Sequence, residues 1–142
     1  MTEPTTPIFD TKVAVLVLED LPVWQKLNVT AFLATGIAGA APEAMGEPYR
    51  DAGGQLYARL LGEPMMIFAA DVDTLRRARR QAIERDLTCA VYARAMFSTG
   101  HDAANRSAFL AEPVESPDLV GIAVRGARKD VDRAVKGARL HP

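Results

Sequence analysis

The residue types able to do chemistry in this chain fall into two polar clusters. Trp24, Asn28 and Thr35 sit within about 40° of one another on a helical wheel, in a segment that is otherwise apolar. A buried amide needs partners, so Asn28 either makes an interhelical or loop-capping hydrogen bond or faces a ligand. Ser98 and Thr99, with Asn105 and Arg106, form the second cluster, where helical periodicity gives no reason for polarity. Such residues either cap the next helix, a role that suits Asp102, or meet a ligand. Asp20, Asp51 and Lys26 are suited to acid–base work, although nothing in the sequence shows them converging. On the wheel Lys26 points well away from Asn28.

Several familiar constellations are missing. His101 and His141 are the only histidines, with no acidic residue at a metal-binding spacing, and both read as surface residues. No Gly-x-Ser-x-Gly elbow, phosphate loop or dinucleotide glycine fingerprint occurs. Cys89 lies inside an apolar run without a polar activator and reads as a small buried hydrophobe. As the single cysteine it allows neither an intramolecular disulfide nor a cysteine-based zinc site. No cofactor is expected.

The elements that must position these residues follow from apolar patterning. Residues 12–18 form a continuous β-branched run, the mark of a strand buried on both faces. Asp20 or Leu21 can cap the helix that follows, Pro22 suits its first turn, and glycines end it near Gly36 or Gly39. That helix is apolar almost all the way round, so one side of a sheet cannot cover it, and a homodimer through it is expected. Residues 48–59 read as a small hairpin. Strand patterns recur at 64–70, 87–93 and 119–124, and helical ones at 72–86, 103–111 and 130–137. Arg79 falls inside the apolar stripe of its helix, where a packed stem with a snorkelling head is expected. Alternating strands and helices predict a three-layer α/β/α domain over residues 11–142, behind a short polar arm at 1–10. Its sheet should be mixed and mostly parallel, with four or five strands.

Net charge is −1, yet residues 1–75 carry 10 acids and 4 bases while residues 76–142 carry 8 and 13. A duplex-binding protein would show a stronger basic excess, so nucleic acid is disfavoured as a partner. No apolar run reaches the roughly 18 residues of a membrane span. With no basic-then-apolar leader pattern either, the cytoplasm is the expected compartment.

Lys12-Val-Ala-Val-Leu-Val with Asp20-Leu21 and Lys26 resembles the opening of the archaeal and eukaryotic (type II) peptidyl-tRNA hydrolases. Gly121-Ile-Ala-Val124, Gly126, Val131-Asp132, Val135, Gly137 and Leu140 resemble that fold's closing strand and helix. A closer resemblance is to an uncharacterised, mostly bacterial family, domain of unknown function 2000, thought to share the fold. It is carried by Asp20-Leu-Pro, Trp24-Gln-Lys-Leu-Asn-Val-Thr-Ala-Phe-Leu33, Gly46-Glu-Pro-Tyr-Arg-Asp51, Met96-Phe-Ser-Thr-Gly100 and Asn105-Arg106. That family implies a fold and no established reaction. The hydrolases' two-lysine glycine motif is here Trp24-Gln-Lys-Leu, so only Lys26 carries over. Their Asp-Ala-Gly-Arg-Thr stretch is here Arg94-Ala-Met-Phe-Ser-Thr99, without the aspartate, and their later threonine falls near Asp118-Leu119. Weak or no hydrolysis of peptidyl-tRNA is the expectation.

In an open parallel sheet, ligands collect at the carboxyl ends of strands. Those ends are here Glu19-Asp20, Asp71, residues 94–99 and Arg125. Asp20, Lys26, Asn28, Ser98 and Thr99 are therefore expected to line one cleft at that edge. The cleft would serve a small-molecule or nucleotide-binding domain. The alternative is a hydrolase of an ester or amide, with Lys26, Asn28 and Thr99 polarising the carbonyl.

Overall fold

The computed structural model describes residues 5–142, so the arm expected at 1–10 lies partly outside the described residues. The chain order is β1 (Thr11–Leu18), α1 (Val23–Ala40), a 3-10 turn (Pro42–Ala44), β2 (Tyr49–Arg50), β3 (Leu56–Tyr57), β4 (Met65–Ala70) and α2 (Val72–Glu84). Then follow β5 (Thr88–Ala93), a 3-10 turn (Arg94–Ser98), α3 (Asp102–Leu110), β6 (Leu119–Ala127), α4 (Arg128–Ala134) and β7 (Arg139–Leu140). Five strands form one sheet in the order β5-β6-β1-β4-β7, while β2 and β3 pair as a separate hairpin. α1 packs over β1, β5 and β6 on one face, and α2 and α4 cover the other. The architecture is a three-layer α/β/α sandwich with a mixed sheet.

The core follows from the two most apolar strands. Every residue of β1 from Val13 to Leu18 is buried, as is every residue of β6 from Leu119 to Val124, because both strands are interior and covered on both faces. α1 seats its Val29, Leu33 and Ile37 on this surface. Close approach requires glycine at Gly121, where a methyl would overlap Val29 and press to 3.0 Å on Leu33 Cδ1. Arg77, in the middle of α2, ties it to the end of α4 by donating to the Arg133 and Lys136 carbonyls at 3.2 and 2.7 Å. Arg79, expected to pack its stem and reach out with its head, is half-buried and its head donates at 2.9 Å to the exposed Val114 carbonyl in the α3–β6 connection.

The sheet is less parallel than the alternation of elements predicts, since among the described residues only β1 and β4 form a parallel pair. β5 does run in the direction of β1, but β6 lies between them, antiparallel to both. The helix between β5 and β6 looks like a crossover in sequence, yet α3 buries none of its residues. It covers no sheet face and is an excursion at the carboxyl edge, so the chain re-enters beside the strand it left. Arg125 therefore stands at the amino edge, opposite where a parallel β6 would put it, because it pairs with Val13 and Thr88.

Two further corrections concern chain ends of elements. The last helix stops at Ala134, and Gly137, at φ 97°, turns the chain into β7, a short strand on Phe68 and Ala69. Pro22 itself, rather than Asp20 or Leu21, occupies the cap position of α1.

Candidate functional site

β5 is an edge strand, and a cavity of about 1090 Å³ lies beside it. α1 contributes Trp24, Asn28 and Phe32 to one wall, β5 contributes Cys89 to Tyr92 as the floor, and the 3-10 turn and α3 form the other wall. This placement follows from the topology. The first turns of α1 and the end of β5 meet at the carboxyl edge, and α3, unable to pack on the sheet, stands off from β5 and leaves a cleft.

One side of the cleft is an aromatic chain. Trp24 meets Phe97 edge-on with centroids 6.0 Å apart, Phe97 meets Tyr92 at 5.2 Å, and Tyr92 meets Phe32 at 6.1 Å. Tyr92 is the buried member. Its hydroxyl donates to Asn28 Oδ1 at 3.4 Å, and burial pushes its pKa up. Asn28, half-buried in the cleft wall, thus has its amide oxygen engaged by a cleft residue. Across from it, Thr99 Oγ1 donates to the Met96 carbonyl at 2.9 Å and is paired with the Asn105 side-chain amide. His101, not Asp102, caps α3: its Nδ1 accepts from the Ala104 N–H at 3.2 Å. Asp102 instead pairs with Arg106 at 2.8 Å at the rim.

Cys89 is exposed, contrary to the buried role expected of it, because an edge strand has no neighbour on its outer side. Its side chain lies on the α2 face of the sheet, away from Ala90 and Tyr92, and surrounding protein keeps water from the sulfur. That desolvation raises its pKa to about 11, against the pull of Arg79.

Of the five residues expected in the cleft, Asn28 and Thr99 line it and the other three do not. Lys26 lies on the opposite flank of α1, its Nζ 3.2 Å from His141 Nε2. Asp20 is exposed in the β1–α1 turn, and Ser98 is exposed at the end of the 3-10 turn. Asp51 organises the tip of the hairpin, accepting from the Gly53 and Gln55 N–H groups and the Tyr57 hydroxyl. The aromatic wall has no simple sequence signal, since Phe32, Tyr92 and Phe97 each read as ordinary core residues. Among the described residues, no group of three or more His, Cys, Asp or Glu comes together to hold a metal ion. No helix among them is long and apolar enough to cross a membrane.

A three-layer sandwich with a cleft along its open edge strand defines a class by shape. The chain belongs to the family described as "protein of unknown function (DUF2000)", whose model matches residues 11–142. It is also similar to the solved structure of Atu0240, a protein of unknown function from Agrobacterium tumefaciens strain C58. The two share 48% identity and a TM-score of 0.91, over 95% of this chain and 100% of that one. No curated protein matches.

Proposed function

We propose that the protein is a small-molecule-binding domain whose site is the cleft between α1, β5 and α3. Its ligand has a planar or apolar body and a carbonyl, amide or anionic end, a class that includes nucleotides. The observation that carries this reading is convergence: four aromatic rings and the Asn28 and Asn105 amides share one cavity. Ligand sites are mostly apolar, with a few placed polar groups, and of roughly 300–1,000 Å³. Catalysis is disfavoured because the nucleophilic and basic side chains at or near the cleft, among the described residues, are not activated. The Cys89 thiol is held neutral, Thr99 donates to a backbone carbonyl, His101 Nδ1 is engaged as a cap, and Lys26 is turned away. The compartment proposed with this reading is the cytoplasm; among the described residues, no helix is long and apolar enough to cross a membrane.

Trp24 is the only tryptophan of the chain and lines the cleft, so its emission reports occupancy directly. The purified protein is examined by mass spectrometry for co-purifying metabolites, and any found, together with free nucleotides, are titrated against Trp24 fluorescence. Saturable quenching is expected. Asn28→Ala is expected to weaken it about tenfold, the loss of one hydrogen bond of about 1.4 kcal/mol. A protein that carries no metabolite, and whose Trp24 emission responds to none of these compounds, overturns the reading.

A further inference from the structure

We infer that the protein is a homodimer in which each chain lays its β2–β3 hairpin across the outward face of the partner's α1. Two surfaces of the same chain are left unexplained by its own packing. The first is the outer face of α1, where Val23 is 72% and Leu27 67% exposed, and the stripe continues through Ala31, Ala34 and Ala38. A solvent-facing helix ordinarily carries charge on that side, as α2 does with Arg76 and Arg80. α1 has one charged residue, Lys26, and it is directed to His141.

The second surface is the arm itself. Residues 47–60 are exposed throughout, including Tyr49, Leu56, Tyr57 and Leu60, each at least half exposed. An isolated two-stranded hairpin is marginal in water, but this one is built to keep its shape. At the root, Gly46 N–H donates to the Leu60 carbonyl at 2.8 Å, and Gly62 N–H to the Ala44 carbonyl at 2.7 Å. A Cβ at Gly62 would lie 3.1 Å from Gly46 N, so the two strands of the root touch. Arg59 and Arg50 donate to Gly46 and Gly54 carbonyls, and Asp51 holds the tip. The arm thus engages three of its charges internally and presents apolar side chains outward.

Placement relates the two surfaces. The root of the arm follows the C-terminal end of α1, whereas Val23 and Leu27 mark its N-terminal end, about 27 Å away at ~1.5 Å per residue. A two-fold axis perpendicular to α1 sets the α1 faces together with the helices antiparallel, and this axis is assigned because it brings each arm root beside the partner's Val23 and Leu27. The α1 stripe meets its own copy without like charges, as an isologous contact requires. At about 100 Å² apiece, the six large exposed apolar side chains of arm and helix supply on the order of 600 Å², and the alanine stripe adds to this toward the ~800 Å² per partner of a stable interface.

Sedimentation equilibrium of the full chain at micromolar concentration is expected to give twice the 15.4 kDa chain mass. Leu27→Asp and Tyr57→Asp are each expected to weaken association at least tenfold. Both sites are exposed in the single chain, so circular dichroism and melting should remain those of a folded protein. In a Cys89→Ser background, a mixture of Leu27→Cys and Tyr57→Cys chains should be joined by a short bis-maleimide into a covalent heterodimer. A monomeric wild type overturns the inference. A dimer that is lost in Leu27→Asp but unchanged in Tyr57→Asp, with no 27–57 product, overturns the exchange of arms.

Discussion

Position, on the edge strand β5 for Cys89 and on the α1 flank beside it for Asn28, decides what these residues can do more than their residue types do. Periodicity reads Cys89 as core because its strand is apolar, and Asn28 as ambiguous because a wheel shows direction but not what lies there. The structure separates them. Asn28 meets Tyr92 and the cleft, whereas Lys26, two positions earlier, is turned by the 100° step to the far flank and His141. Cys89 is accessible, but its pKa of about 11 leaves only about one thiol in 10⁴ ionised at pH 7. Alkylation by iodoacetamide is therefore expected to be slow at neutral pH despite exposure. Its rate should climb nearly tenfold per pH unit past pH 9, where an ordinary thiol of pKa about 8.5 has levelled off. A rate plateau near pH 9, followed by mass spectrometry, would show that the surrounding protein does not desolvate the sulfur.

At the scale of elements, the strands were the most legible features. Continuous apolar runs mark β1, β4, β5 and β6 because each is covered on at least one face and β1 and β6 on both. Strand direction was not legible: nine residues of helix between β5 and β6 look the same whether they cross a face or, as α3 does, turn back at an edge. β7, two residues long, is too short to carry a period, and the cleft depends on α3 standing off, which no local pattern encodes. The end of α2 shows local chemistry that can be improved. Asp86 N–H donates to the Ile83 carbonyl and Leu87 N–H to that of Ala82, the paired bonds of a Schellman cap. Asp86 consequently holds φ 54°, a left-handed conformation that glycine adopts without the cost a Cβ brings. Asp86→Gly is expected to stabilise the protein by about 0.5–1 kcal/mol, seen as a higher urea midpoint at unchanged slope. A lower midpoint would mean that the aspartate side chain contributes more than its backbone strain costs.

For the molecule as a whole, the feature that joins its parts is the ion pair at the amino edge of the sheet. Arg125, near the end of β6, donates to Glu63 through Nε at 2.6 Å and through a terminal nitrogen at 3.3 Å, with Thr11 of β1 bonded to the same carboxylate. Glu43, beyond α1, adds a weaker contact at 3.5 Å. These residues come from four separate segments and clamp the root of the hairpin arm to the sheet. Both main partners are largely buried, at 14% and 7% side-chain exposure, so removing one strands the other. Burial alone would raise the Glu63 pKa, but the hydrogen bonds from Arg125 and Thr11 and the charge of Arg125 outweigh it, and the pKa is lowered. A carboxylate with a depressed folded pKa contributes stability that is fully present above its unfolded value of about 4.3 and is lost as pH falls through the folded value. Glu63→Gln is therefore expected to cost about 2–3 kcal/mol at pH 7, the loss of a buried charged partner. The gap between variant and wild type should hold down to about pH 5 and close progressively below about pH 4, where the wild-type carboxyl also protonates. Urea unfolding of both proteins across that range measures it. A gap that stays constant to pH 2.5 would mean that Glu63 acts through packing rather than charge, and that the arm is held to the sheet by its backbone bonds alone.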